Sequence, residues 1–322
     1  MKYSKLFGKS YKFPTSKKKD KAWALLVQGG YFRALGKGLY SFLPLGMRVY
    51  NKLKKVIRLE MNTLDGEEVL VPIVNPYDLW KTSGRSELID QEMLRFEDRT
   101  GKNYVLSPTH EEAFVELVRT AFNSYKDFPF FLYQFQTKFR DEERPRASLL
   151  RSKEFIMNDG YSFHKSYTDL NNFFPRVHAA YNHIFSLCNI DVISAESSVG
   201  FMGGSKAYEF LTPFEQGKDI VISCPKCAYS AKKKLAVGVK EYYQEDIVFM
   251  TKLATPGTVT MDKLAQFFDL PKHKLGKCMV FKKEKGLIMA VVRADYDVSL
   301  HKLSEILGEN ITKKQLEKIL KL

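Results

Sequence analysis

Two alternating runs, residues 131–139 and 151–163, constrain this chain more than any other feature. In the first, Tyr133, Phe135, Thr137 and Phe139 fall on one side of an extended backbone, and Gln134, Gln136 and Lys138 fall on the other. The polar parity continues into Arg140 and Glu142, and a loop with Arg144, Pro145 and Arg146 follows. In the second run, Arg151, Phe155, Met157, Asp159, Tyr161 and Phe163 share one parity. Antiparallel pairing of the two predicts cations, carboxylates and an aromatic ring gathered on one open sheet face.

Such a face is unusual for a core strand, because arginine, glutamate and aspartate are almost never fully buried unless paired. Two readings follow from the residue types: a polyanion-binding surface, or a structural ion-pair network. In the first, the arginines fork onto phosphate oxygens, Glu142 accepts from an exocyclic amine and Phe155 stacks on a base. That set suits a nucleoside triphosphate.

The pattern Phe139-Arg140-x-Glu142, a loop, then Arg151-x-x-x-Phe155 resembles motif 2 of the class II aminoacyl-tRNA synthetases. The stretches TKFRDEERPR and KEFIMNDGYSFH are similar to the bacterial type of prolyl-tRNA synthetase in particular, and the likeness runs from about Tyr31 to Leu307. The resemblance implies an α+β fold, a class II antiparallel sheet flanked by helices, with part of a small α+β insertion (editing) domain. It implies a catalytic core over residues 1–225 and the partial insertion domain over 226–322. It further implies an ATP-dependent ligase that activates proline and transfers it to tRNA(Pro), using ATP with Mg²⁺, as a homodimer.

Carried over residue by residue, the resemblance assigns catalysis to Arg140 and Arg151, and ATP binding to Arg140, Glu142, Arg151 and Phe155. Proline binding falls to Thr109, Glu111, Arg140, Met157 and Asp159, and editing to Lys277. Read without the resemblance, Thr109 and Glu112 form a capping box that starts a helix before Phe114, Leu117 and Val118. A helix start would also hold Thr109 and Glu111 rigidly.

Charge agrees with an anionic partner: 51 Lys and Arg stand against 37 Asp and Glu, a net +14, which favours nucleic acid. No run approaches the roughly 18 apolar residues that span a bilayer, and the first residues lack the apolar core of a signal peptide. A cytoplasmic protein is expected. Cys224-Pro-Lys-Cys227 has metal-knuckle spacing, but a tetrahedral structural zinc wants four ligands and no second pair accompanies it, so no metal site is assigned.

In chain order, Lys17–Lys19 reads as a solvated run. Residues 29–46 form a Gly- and Pro-punctuated lead-in to a helix with Val49, Leu53, Val56 and Ile57 on one face, up to about Thr63. Residues 68–72 read as a strand stopped by Pro72. That helix, strand and proline resemble motif 1, which in the family forms the dimer interface. Residues 79–85 read as a turn with an aromatic anchor. A helix over 170–185 and a strand near 190–197 serve as scaffold.

Gly203-Gly204-Ser205 resembles a loop that closes the amino-acid pocket, but Ala207 and Tyr208 stand where the family usually has Ser and His. Beyond residue 251, a helix, a hairpin with the turn Lys283-Glu284-Lys285-Gly286, and a helix over 300–307 predict a small α+β unit. A lysine-rich helix over 313–322 closes the chain. The family's motif 3 and anticodon-binding domain are not recognised before Leu322. This predicts an incomplete chain, and a non-catalytic synthetase-like protein that binds tRNA or nucleotide is the alternative.

Overall fold

A computed structural model describes residues 2–8, 10–11, 21–89, 92–122, 124–145, 148–200, 203–214, 217–239, 249, 251–282 and 286–307. The basic run Lys17–Lys19, Arg146, Lys283–Lys285 and the C-terminal helix expected over 313–322 lie outside them. Cα packing divides the chain into two compact units: residues 1–193 with 199–204 and 210–214, and residues 194–198 with 205–209 and 215–322.

The first unit opens with helix α1 (Lys21–Gln28), the hairpin β1 (Phe32–Gly36) and β2 (Leu39–Phe42), and the long helix α2 (Pro44–Thr63). Pro44 suits the first turn of α2, where its missing N–H costs no hydrogen bond. The lead-in over 29–46 is thus largely a hairpin, and Gly38 takes a left-handed φ of +80° at its turn. Strand β3 (Gly66–Glu68) and strand β4 (Val74–Pro76) follow.

The turn expected over 79–85 is instead two short helices, α3 (Tyr77–Thr82) and α4 (Arg85–Leu88), joined through Gly84 at φ +73°. Trp80 is fully buried with Ile89, Met93 and Val105, which explains the aromatic anchor. Strands β5 (Leu94–Glu97) and β6 (Asn103–Leu106) pair antiparallel, with β4 on the other edge of β6.

Helix α5 (Glu111–Ala121), strand β7 (Phe130–Phe139), strand β8 (Glu154–Phe163) and helix α6 (Tyr167–Leu187) complete the unit. Ser166 caps α6, its hydroxyl accepting from the Asp169 N–H at 3.2 Å. Strand β7 is central: β8 pairs antiparallel along its whole length, from Phe130 opposite Phe163 to Phe139 opposite Glu154. On its other edge β3 runs parallel, so this sheet is mixed rather than purely antiparallel.

One face of β7 carries the main core. Phe131, Tyr133 and Phe135 pack with Met61 and Leu64 from the end of α2 and with Ala180 and Ile184 of α6. The alternation read from the sequence therefore has a simple cause, since period 2 puts every second ring under the same two helices. Across the sheet a second cluster joins Leu132 to Val71 and to Phe114 and Val118 of α5.

The strand expected over 68–72 ends in the ladder at Glu68, with one further backbone bond from the Val69 N–H to Tyr133 O at 2.9 Å. Beyond it, side chains of β7 replace the ladder. Gln134 Oε1 accepts from the Val71 N–H at 3.1 Å, and Gln136 Nε2 donates to Val71 O at 2.7 Å. Two glutamines thus satisfy backbone groups that would otherwise be buried without partners.

In the second unit β9 (Ile193–Ser197) and β10 (Ala207–Leu211), which run across the division, pair with each other. The hairpin β11 (Val221–Ser223) and β12 (Ser230–Lys232) adds to them through β12. Helix α7 (Met261–Phe267), the hairpin β13 (Gly276–Lys282) and β14 (Leu287–Arg293), and helix α8 (Leu300–Leu307) follow as expected. Cys224 and Cys227 lie in the turn between β11 and β12, where hydrogen bonds from the Lys226 N–H and Cys227 lower the Cys224 thiol below its ordinary pKa.

Candidate active site

The second face of β7 carries Gln134, Gln136 and Lys138, and on β8 the register sets Asp159, Met157 and Phe155 directly opposite them. The sequence predicts one open face. The structure divides it into a buried half and an accessible half.

The buried half is an ionic network. Lys138, with no accessible surface, donates from Nζ to Asp159 Oδ1 at 2.7 Å and to His110 Nδ1 at 2.5 Å. Asp159 Oδ2 accepts from Gln134 Nε2 at 3.0 Å and from the Tyr161 hydroxyl at 2.8 Å. His110, also fully buried, donates from Nε2 to Pro72 O at 3.1 Å. Its tautomer follows from its partners, because Nδ1 faces a cation that can only donate.

Burial, reinforced by the Lys138 charge, holds the His110 pKa down to about 4, so the ring is neutral at physiological pH. Burial also lowers the Lys138 pKa, while Asp159 pulls it back up. The Tyr161 hydroxyl is pushed up, first by burial and then by the Glu111 and Asp159 charges. A carboxylate and an ammonium are tolerated here because each is paired and further hydrogen-bonded.

The accessible half lies along the strand, past Lys138. Arg140 donates from Nε to Pro108 O at 3.2 Å, and its guanidinium sits over the Phe155 ring at 5.3 Å. Arg151 pairs with Glu142 Oε2 at 2.5 Å, and Lys153 with Asp141 Oδ1 at 2.6 Å. Arg151 stays about half exposed. The structure therefore brings Arg140 to Phe155 and Arg151 to Glu142, and Met157 lies half-buried opposite Gln136.

Thr109 and Glu111 meet at the start of α5, where the Thr109 hydroxyl donates to Glu111 Oε2 at 2.6 Å. The capping box expected there does not form. His110 is the N-cap residue and gives no side-chain cap, and Glu112 turns instead to the Ser83 hydroxyl at 2.8 Å and to Arg85 at 3.0 Å. Arg85 also reaches Glu111 at 3.1 Å. A guanidinium with two carboxylates outcompetes the weaker backbone cap.

Sequence reasoning missed Arg85, His110 and Lys138. Lys138 had a signal, sharing the polar parity two residues before Arg140. Arg85 had none, since its partners lie 26 and 27 residues away. Gly203 and Gly204 both take left-handed φ angles, +76° and +93°. In the second unit, Ser197 donates to Glu209, which also pairs with Lys232, and Lys277 Nζ pairs with Asp297 Oδ1 at 2.8 Å. Among the described residues no cluster of three His, Cys, Asp or Glu side chains could hold a metal ion.

Comparison with known proteins agrees with this geometry. Residues 94–261, just over half of the chain, match the family described as tRNA synthetase class II core domain (G, H, P, S and T), and residues 255–321 match the aminoacyl-tRNA editing domain. The chain is similar to the proline–tRNA ligase of Halothermothrix orenii, at 41% identity over 281 residues, covering 87% of this chain and 50% of the relative. It is also similar to the ligase of Thermotoga maritima, at 38% over 280 residues, covering 86% and 48%.

The chain thus spans about half the length of the curated relatives it matches. Among solved structures, a prolyl-tRNA synthetase from Cryptosporidium parvum complexed with halofuginone and AMPPNP shares the fold, with TM-score 0.53, 17% identity, and coverage of 58% of this chain and 39% of that one. With the motif-2 strands paired and their charged face assembled beside Thr109 and Glu111, the chain belongs to the class II tRNA synthetase core-domain family of the G, H, P, S and T group.

Proposed function

We propose that this chain carries the ATP- and proline-binding half of a cytoplasmic proline–tRNA ligase, which joins proline to tRNA(Pro). The observation that carries this reading is the position of Arg140, whose guanidinium lies over the Phe155 ring while its Nε donates to Pro108 O, next to the Thr109–Glu111 segment. The identity to proline–tRNA ligases, up to 41% over 281 residues, supports proline as the amino acid.

In this reading Phe155 stacks on adenine, with Arg140 across its ring. Arg140 neutralises the α-phosphate and the proline carboxylate, Arg151 binds the phosphate chain, and Glu142 accepts from the adenine amine. Thr109 and Glu111 receive the proline ammonium, with Met157 lining the pocket. The proline carboxylate oxygen attacks the α-phosphorus, forming prolyl-adenylate as the bond to pyrophosphate breaks. A ribose hydroxyl of the tRNA then takes the prolyl group and releases AMP. The protein's contribution is positioning and charge stabilisation.

Mg²⁺ suits such a site without a protein cage, since it keeps several waters and binds chiefly through substrate phosphates. When bound it supplies charge neutralisation on the triphosphate. Lys277, held by Asp297, is the editing residue of the second unit in this reading. The exposed Met47, Val49 and Leu53 of α2 support a homodimer through that helix.

Equilibrium titration with ATP and with proline tests the reading. Saturable binding of both is expected, and neither ligand binding would overturn it. Proline-dependent pyrophosphate exchange then separates a ligase from a non-catalytic nucleotide-binding relative, which would bind without exchange.

A further inference from the structure

Three contacts fasten the segment 107–111 to the end of β7. The Phe139 N–H donates to Ser107 O at 3.2 Å, Arg140 Nε to Pro108 O at 3.2 Å, and Lys138 Nζ meets His110 Nδ1 at 2.5 Å. The first two hold the entry to the segment. The third alone grips the residue between Thr109 and Glu111. His110 is gripped from both sides, because its Nε2 donates to Pro72 O.

Asp159 shares the clamp. Both of its oxygens are occupied by Lys138, Gln134 and Tyr161, and its side chain is only 9% exposed. A carboxylate so occupied has little capacity left for a ligand cation. Glu111, with its side chain 34% exposed, is the carboxylate that a bound ammonium can reach.

We infer that Lys138 is a positioning residue for the amino-acid pocket: it fixes the neutral His110 ring, and through it the Thr109–Glu111 pair, while Asp159 serves as its counter-ion and makes no direct ligand contact. The inference rests on the reading of this face as a proline site. It gives the buried ion pair a task that packing alone does not require, since an apolar pair of similar volume is often as stable.

The groups facing the cluster are Asp159 and Tyr161 from β8, Lys138 from β7, Arg140 just beyond its end, and Glu111 from α5. A ring held neutral between a cation and a carbonyl keeps one tautomer and one orientation. Loss of the cation frees Nδ1 to exchange tautomers and lets the start of α5 shift. Displacement of a ligand-binding group by about 1 Å is enough to cost on the order of 10²-fold in function.

Lys138→Met alone leaves Asp159 buried without its counter-ion and is expected to unfold the protein. The decisive variant is therefore Lys138→Met/Asp159→Asn, which removes both charges together. It is expected to fold with a cooperative melt, to bind ATP within about threefold of the wild type, and to bind proline at least ~10-fold more weakly. In ¹⁵N NMR the wild-type His110 should carry its proton on Nε2 alone at neutral pH, and the variant should show mixed tautomers.

Hydrogen exchange judges the clamp apart from the ligand. Amides of residues 109–114 should exchange roughly 10-fold faster in the folded variant, with β7 and β8 unchanged. Unchanged exchange there, unchanged proline affinity, or equal weakening of ATP and proline would each overturn the inference. A wild-type chain that does not bind proline would overturn the ligase reading instead, while hydrogen exchange and the tautomer would still decide whether Lys138 sets the segment.

Discussion

Arg140 lies between the Phe155 ring and the carbonyl of Pro108, and the proposed reading sets it against both ATP and proline. Replacing it with alanine removes charge-assisted contacts of about 1.5–3 kcal/mol, so ATP affinity should fall roughly 10- to 100-fold. Calorimetric titration with ATP is the measurement, with an unchanged melt as control. His110 makes a different residue-scale prediction. Its pKa lies at about 4 in the folded chain against an ordinary 6.5. Through that window an unfolded chain takes up a proton that the folded chain refuses. The neutral ring's contribution is therefore complete above pH 6.5 and is lost as pH falls towards 4, a total of about 3 kcal/mol. His110→Gln should flatten this part of the pH–stability profile, read from denaturant midpoints at half-unit steps.

At the scale of elements, the Phe131 ring of β7 packs over β8 where a side chain is missing, at Gly160. A Cβ built on Gly160 would lie 2.6 Å from Phe131 Cζ, and Phe131 sits in the core beneath α2 and α6. Gly160→Ala should force that ring to move and destabilise the protein by about 1–3 kcal/mol, as overpacking typically does. Chemical denaturation gives the number. Met61, 1% exposed at the end of α2, is the complementary case, and Met61→Ala should cost about 2–5 kcal/mol through the cavity it leaves. Both substitutions lie on the helix-covered side of the sheet. ATP affinity should hold in the fraction that remains folded.

For the whole molecule, two properties are open to direct measurement. Met47, Val49 and Leu53 expose apolar surface on α2, at 38%, 45% and 44%. If α2 carries a two-fold interface, Leu53→Glu should convert a dimer to a monomer in sedimentation at micromolar concentration without altering the melt. A monomeric wild type would argue against that interface. The net charge of +14 predicts that tRNA binding weakens steeply with salt, as counterion release requires, and a flat salt dependence would remove the basic surface from the reading. Among the described residues no helix is long and apolar enough to cross a membrane.

What the sequence determined by itself was local and periodic. Alternation over 131–139 and 151–163 set β7 and, from Glu154 on, β8, with the parity of Lys138, Phe155 and Asp159, because a pleated strand sends successive side chains to opposite faces whatever surrounds it; Arg140, Glu142 and Arg151 lie beyond the paired ladder. Helical spacing likewise placed α2, α6 and α8. Only the tertiary structure decided which polar groups meet. Thr109 and Glu112 are spaced as a capping box, yet Arg85 takes Glu112 and leaves the cap unmade. Residues 69–72 read as strand, yet Gln134 and Gln136 satisfy Val71 in place of a ladder. Lys138 reads as part of an open polar strand face, yet it is fully buried between Asp159 and His110. Hydrogen bonds and ion pairs act over about 3 Å between residues that lie tens of positions apart, and that proximity exists only once the strands and helices have packed.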